Sequence, residues 1–344
     1  MRTRHHHLRR VLGPGSVVAA LLCATVLSAC GSNGSDSSAD AANAGSSSST
    51  GTLEKVNIQR GLNAGWAPVI WADEHGYFKE NGLDVTLSVS SSDTSKNIPI
   101  LVSGQRDIIM SSVQPTAAAR SQGLPVRIIS GAQNATSKTK QDDGCLAPPG
   151  SSITDLADLE GASVGVPVLG HPLQISNNLA MRNANLDPSK VKYVALDVAS
   201  MIDAGKNGTV DAICTFGSFY FQAVAEGFTV LNGGTVGETP NAAQIVWTST
   251  DKYADAHPDV ITKFQAAMEK AYTYLDSHPA AYVKVVLANS DQKKKDVVQD
   301  GVPDMSTSLS RTATESIIDE LALDGFIDKK PSLDDLIDST VPTL

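Results

Sequence analysis

The side chains of this 344-residue chain that could do covalent or metal chemistry are few, and their spacing argues against both. There are four cysteines, Cys23, Cys30, Cys145 and Cys214, and seven histidines. His5, His6 and His7 fall in a basic N-terminal stretch, while His75, His171, His257 and His278 stand alone along the chain. No Cys/His spacing suits a metal ion, and no strand-turn-helix nucleophile motif is present. Cys214 could attack a substrate only as a free thiolate. The expectation is therefore a protein without metal, cofactor or catalytic residues.

Cys30 is the cysteine whose context carries information. Arg2, Arg4, Arg9 and Arg10 precede an apolar run from Val17 to Leu27, which at about eleven residues is too short for a span of about 20 and suits the apolar segment of a signal peptide. Leu27-Ser28-Ala29-Cys30 then resembles a bacterial lipobox. That implies a signal peptide over 1–29, cleavage before Cys30, acylation of its sulfur, and a protein anchored by lipid to the outer face of the cell membrane. Residues 30–52 follow as a tether of Gly, Ser, Ala, Asn, Asp and Thr with nothing to pack. Export leaves Cys145 and Cys214 as a single pair in an oxidising compartment, which suggests a disulfide. The net charge of −10, moving to about −14 once the four arginines are cleaved away, excludes nucleic acid and anionic lipid surfaces as natural partners.

Those features need elements to position them, and from Leu53 onward short β-branched strands alternate with helical segments as in parallel α/β sheets. Strands are expected at Val56–Ile58, Val85–Val89, Asp107–Ser111 and Val126–Ser130, with helices opened by Pro68 and over Pro115–Gln122. A second set follows. Its strands are Ser163–Val166, Lys192–Leu196, Val210–Thr215 and Thr229–Leu231, with helices over Leu173–Ala184 and Met201–Lys206. The two sets resemble each other: Ser103-Gly104-Gln105-Arg106-Asp107-Ile108 matches Asn207-Gly208-Thr209-Val210-Asp211-Ala212, and the next glycine stop, Gly123 or Gly227, falls 19 residues after the first in each. Beyond Trp247 the chain turns helical, with Val260, Phe264, Ala267, Met268 and Ala271, and then Ile317, Leu321 and Leu323, at helical spacing. The economical topology has residues 53–138 and 248–344 forming one lobe and residues 139–247 the other, with hinge crossovers near Gln133–Cys145 and Ala243–Thr250.

The run Ala72-Asp73-Glu74-His75-Gly76-Tyr77-Phe78-Lys79-Glu80-Asn81-Gly82-Leu83-Asp84-Val85 resembles the solute-binding proteins of ABC importers for nitrate, sulfonates, taurine and pyrimidine precursors, the NMT1/THI5-like family. Ser103-Gly104 to Asp107, Ile153 to Gly161, and Gly208 to Asp211 extend the resemblance over most of Leu53 to Lys330. It implies the two-lobed α/β periplasmic-binding-protein fold of type II, each lobe a mostly parallel sheet flanked by helices. It further implies a monomer that captures a small solute between its lobes and delivers it to permease and ATPase subunits. The same resemblance places the strand entering lobe two beside the strand before the Phe216 loop, bringing Cys145 to Cys214. An enzyme on the same fold, or a sensing lipoprotein with no permease, are the rival functions. The Cys-rich motif of the family's enzymatic, pyrimidine-forming branch is absent from the sequence.

In such sheets ligands sit at the C-terminal ends of strands, where helix N-termini offer unpaired N–H groups. The candidate ligand-binding residues are then Asn63, Gly65 and Trp66 after strand one, Ser90, Ser91, Ser92 and Thr94 after strand two, and Ser112, Gln114 and Thr116 after strand three. Lobe two adds Leu169, Gly170, His171 and Gln174, then Phe216, Ser218, Phe219 and Tyr220. Trp66 and Tyr220 are expected to be walls of the cleft. Tyr77 and Phe78 read instead as core. Pro99 cannot lie inside a helix without a cost of about 3 kcal/mol, so the helix there should start late, near Asn97. No Arg or Lys stands in these loops, and Asp93 adds negative charge. Hydroxyls and helix ends suit a sulfonate or carboxylate while the aromatics suit a pyrimidine-like ring, and the balance leans to a small organic solute with one anionic group.

Overall fold

The computed structural model describes residues 52–61, 64–90, 97–290 and 292–344. Cys30, with the signal peptide and most of the tether, lies outside the described residues, as do Asn63, Ser91, Ser92 and Thr94. Two five-stranded sheets form, and they are built alike.

The first contains β1 (Glu54–Arg60), β2 (Leu83–Val89), β3 (Ile108–Ser111), β4 (Val126–Asn134) and β10 (Ala243–Thr250), in the order β2-β1-β3-β10-β4. The second contains β5 (Asp143–Ala147), β6 (Ser163–Val166), β7 (Lys192–Ala195), β8 (Ala212–Phe216) and β9 (Thr229–Val230), in the order β7-β6-β8-β5-β9. β1 pairs in parallel with β2 and β3, as β6 does with β7 and β8. In each sheet one strand runs against the rest: β10 between β3 and β4, and β5 between β8 and β9. That strand is the one by which the chain arrives from the other sheet.

The repeated Gly-x-x-Asp has one job in both. Asp107 Oδ2 accepts from the backbone N of Asn57 at 2.8 Å, and Asp211 Oδ2 accepts from the backbone N of Ser163 at 2.8 Å, so each aspartate ties the start of β3 or β8 to the neighbouring strand. Gly104 and Gly208 precede them at φ 74° and 70°, a left-handed turn that glycine adopts without strain.

Helices α1 (Ala67–Glu74), α2 (Tyr77–Glu80), α3 (Ile98–Val102) and α4 (Val113–Ser121) flank the first sheet. Helices α5 (Pro172–Asn183), α6 (Met201–Lys206), α7 (Gly217–Ala225) and α8 (Gly234–Glu238) serve the second. The chain ends in α9 (Asp251–Ala256), α10 (Pro258–Ser277), α11 (Pro279–Ala288), α12 (Lys294–Asp300), α13 (Arg311–Leu323) and α14 (Leu333–Leu336). α3 begins at Ile98 with Pro99 in its first turn, where the missing N–H costs nothing. α10 and α11 cover the first sheet: Phe264, Met268, Tyr272 and Val286 share a core with Ile58, Trp66, Phe78 and Trp247. Phe78 stacks on Phe264 at 6.0 Å between centroids, while Tyr77 packs at the edge of that core.

Two features depart from expectation. Residues Ala243–Thr250 are strand β10, paired along most of their length, so the second crossover is the shorter connector 239–242. It runs beside the first, residues 135–142: Asn241 N donates to Ala135 O at 2.7 Å and Ala135 N to Ala242 O at 2.8 Å. Asn241 takes φ 62°, a conformation that asparagine tolerates better than most residues. The other departure is α13, which does not serve the first sheet alone. Its Ile317, Ile318 and Leu321 pack with Val113 and Ala117 of α4 and also with Ile175 of α5. Arg182 of α5 pairs with Glu320 and Asp324 at the end of α13, and Asn178 Nδ2 donates to Asp324 Oδ2 at 2.8 Å.

Candidate functional site

A cavity of about 430 Å³ opens where the C-terminal ends of the parallel strands in the two sheets face one another. This is the size of small-molecule sites, roughly 300–1,000 Å³. Gly65 and Ser112 enter it after β1 and β3, Gln133 from the end of β4, and Gln244 from β10. His171 follows β6, Asp197 follows β7, and Phe216 to Phe219 follow β8. Asp142 and Asp143 lie on the first connector and the start of β5, and Tyr282 and Asp300 reach in from α11 and α12.

Of the residues expected to bind, Gly65, Ser112, Gln114, His171, Phe216, Ser218 and Phe219 line this space. Others are engaged elsewhere. Trp66, 1 % exposed, turns into the core beneath α1, with the Arg60 guanidinium 4.4 Å from its ring. Tyr220 packs on Met201, Val210 and Phe228 on the flank of the second sheet, edge-on to Phe221. The two aromatics are thus lobe core rather than cleft walls, because each falls on the apolar face of its helical turn. Ser90 Oγ donates to Asn97 Oδ1 at 2.7 Å, Thr116 Oγ1 donates to Ser112 O, and Gln174 Oε1 accepts from Gly170 N. Gly170 itself lies against Phe326, and Leu169 is exposed.

His171 caps α5: its Nδ1 accepts from Leu173 N at 3.2 Å, and its ring stacks with Phe216 at 5.9 Å. Pro172, the first helical residue, has no N–H to offer. At α7, Gly217 N donates to Asp142 O at 2.7 Å. The first turn of α8 is filled by one of the protein's own carboxyl groups: Asp143 Oδ1 accepts from Thr235 N at 2.8 Å and Oδ2 from Thr235 Oγ1 at 2.5 Å. Gln244 Nε2 continues the chain to Thr235 Oγ1, and Gln133 Nε2 to Gln244 Oε1. Asp143 presses so closely on α8 that a Cβ on Gly234 would stand 2.1 Å from its Oδ1, and Gly234 also takes φ 62°. Only glycine fits there.

Acidic groups dominate the walls. Burial, with Asp143 and Asp300 nearby, pushes the Asp142 carboxyl up to about 8. Burial also raises Asp143, against the hydrogen bonds from Thr235. The Tyr220 hydroxyl is pushed up to about 12 by burial and by the two aspartates. The Oε1 of Gln114, a residue 5 % exposed, is buried without a hydrogen-bond partner. The acids, Gln133, Gln244 and Tyr282 were not foreseen. The adjacent acids Asp142 and Asp143, at the end of a crossover, were the available signal.

Cys145 and Cys214 face each other across the antiparallel β5/β8 pair and are joined by a disulfide. Among the described residues no group of three His, Cys, Asp or Glu is placed to hold a metal, and no helix is long and apolar enough to cross a membrane.

The fold is that of the periplasmic binding proteins. The aliphatic sulphonate binding protein SsuA of Escherichia coli superposes with a TM-score of 0.68 at 16% identity, over 84% of this chain and 98% of that one. The chain belongs to the NMT1/THI5-like family, whose pattern matches residues 63–282. It is 24% identical over 238 residues to the formylaminopyrimidine-binding protein of Halalkalibacterium halodurans, covering 67% of this chain and 68% of the relative. It is also 24% identical over 247 residues to a 4-amino-5-hydroxymethyl-2-methylpyrimidine phosphate synthase, THI13, of Saccharomyces cerevisiae, covering 67% and 69%.

Proposed function

We infer that this protein is the extracytoplasmic solute-binding component of an ABC importer, lipid-anchored through Cys30 and working as a monomer. On this reading residues 53–138 with 248–344 and residues 139–247 are its two lobes, and a small organic solute is held between them. The observation that carries it is the cavity at the strand ends of two like-built sheets, with the two connectors side by side at its edge. Gly65, Ser112, Gln114, His171, Phe216, Ser218 and Phe219 are then ligand-binding residues, joined by Gln133, Asp142, Gln244, Tyr282 and Asp300. Kinship with a formylaminopyrimidine-binding protein supports a binding role. A synthase among the relatives favours an enzyme instead. Against catalysis, the thiol of Cys214 is tied up in the disulfide and cannot serve as a nucleophile.

Deleting the chain should abolish cellular uptake of one solute class, and Cys30→Ala should move the protein from the membrane fraction to the medium with no fatty acid attached. Unchanged uptake across sulfonates, carboxylates, amines and pyrimidines in the deletion strain overturns the importer role. Consumption of a solute by the purified chain overturns the non-enzymatic one.

A further inference from the structure

One wall of the cavity is weakly built between two firm ties. Gln292, Val297, Gly301 and Pro303 line the space from α12 and the residues that flank it. Before α12 the chain is fixed to α11, where Ser290 Oγ donates to Val286 O at 2.8 Å and Asn289 Nδ2 to Val285 O at 3.1 Å. After it, residues 304–309 form a strap on β4: Asn134 N donates to Asp304 O at 2.9 Å, and Gly131 N to Thr307 O at 2.8 Å. Thr307 Oγ1 adds a bond to Glu269 Oε2 of α10 at 2.7 Å. The strap lies so close that a Cβ on Gly131 would stand 2.5 Å from Ser308 O.

α12 itself has little to hold it. It is seven residues long, too short to persist by helix propensity alone. Lys293 at its N-cap supplies no side-chain cap, and the exposed Lys293, Lys294 and Lys295 put positive charge where the helix dipole is already positive. The helix packs chiefly on α11. Its Val297 is 1 % exposed and enters the core of the first sheet, whereas Val298 beside it is 56 % exposed. Gly301 ends the helix at φ 76° and ψ −167°, a backbone conformation essentially confined to glycine, and Val302 then returns the chain to the core. Segments with so little buried apolar contact open locally at a free energy well below that of global unfolding.

We propose that α12 is a lid on the cavity, lifting about Gly301 and the end of α11 to admit the solute while both sheets and the strap 304–309 keep their places. This rests on the solute-binding reading above. Val297 is the latch, since its side chain leaves the core when the lid lifts and returns when it closes.

The test is hydrogen exchange, read by mass spectrometry on the purified full chain without ligand. Corrected for intrinsic rates, the amides of 292–302 should exchange about tenfold faster than those of 304–309. Val297→Ala and Gly301→Ala should each speed 292–302 by about fivefold more and leave 304–309 unchanged, with folding checked by circular dichroism. A Cβ on Gly301 meets nothing within 4 Å, so that substitution acts through backbone conformation and not through a clash. Entry to the cavity is read separately, as the rate at which iodoacetamide labels Ser112→Cys, mapped by mass spectrometry. Adding Val297→Ala should raise that rate about fivefold, whereas Arg182→Met, which frees α13 from α5 instead, should change it less than about twofold. Equal protection of 292–302 and 304–309 overturns the lid, as does labelling that responds to Arg182→Met and not to Val297→Ala. Neither result touches the importer role, which falls only on the uptake experiment.

Discussion

At the scale of single residues, Asp142 holds two demands in opposition. Its carboxyl is pushed up to about 8 by burial and by Asp143 and Asp300, so the native protein without ligand holds a proton that the unfolded chain has already lost above about pH 4. The native state then binds more protons than the unfolded state between about pH 4 and about pH 8, and stability falls as pH rises through that window. Asp142→Asn removes the titrating group. Its melting temperature should match that of the parent near the acidic end of the window and exceed it increasingly toward pH 8, measured by scanning calorimetry without ligand. A parent whose stability climbs steadily across the window would show that Asp142 is ionised at no cost. Such a group, destabilising in the empty protein, is what a binding site keeps and a purely structural core discards.

At the scale of elements, the disulfide clasps the second sheet while α13 bridges α4 and α5. Cys145 and Cys214 are 69 residues apart and close β5 onto β8, so replacing both with serine should cost about 4 kcal/mol by the loop-entropy argument, read as a fall in the denaturant midpoint. An unchanged midpoint would mean that the β5/β8 pairing needs no clasp. Much at this scale was legible in the sequence. Strand positions followed from period-two patterns, the Gly-x-x-Asp repeat marked the same strand in both lobes, and Pro99 and Pro172 located helix starts. What was not legible depended on partners far along the chain. Ala243–Thr250 reads as a connector, yet its strand character comes from β3 and β4 on either side. Trp66 and Tyr220 sit in polar-looking turns, yet the direction of their side chains is set by α1 and by the flank of β8. Lining residues from α11 and α12 are contributed by tertiary packing alone.

At the scale of the whole molecule, a solute held between the lobes on the binding reading would draw them together or let them part about the connectors 135–142 and 239–242, a hinge motion of the kind binding proteins use. α13 stands in the way. Its Asp324 and Glu320 hold Arg182 of α5, Asn178 donates to Asp324, and Phe326 lies on Gly170, all contacts between the second sheet's leading helix and the C-terminal segment. Opening must break them, or else α13 must travel with α5. Burial raises the Glu320 carboxyl while Arg182 opposes the rise, so Arg182→Met should leave two poorly solvated acids and favour the open form. Joining Asn178→Cys to Asp324→Cys by oxidation should do the reverse. Small-angle scattering of the ligand-free chain should then show a larger radius of gyration for Arg182→Met than for the parent, and the smallest for the oxidised double-cysteine protein, with the difference vanishing on reduction. Identical curves for all three would mean that α13 moves as part of the second lobe, leaving its contacts with Val113 and Ala117 of α4 as the seam that opens.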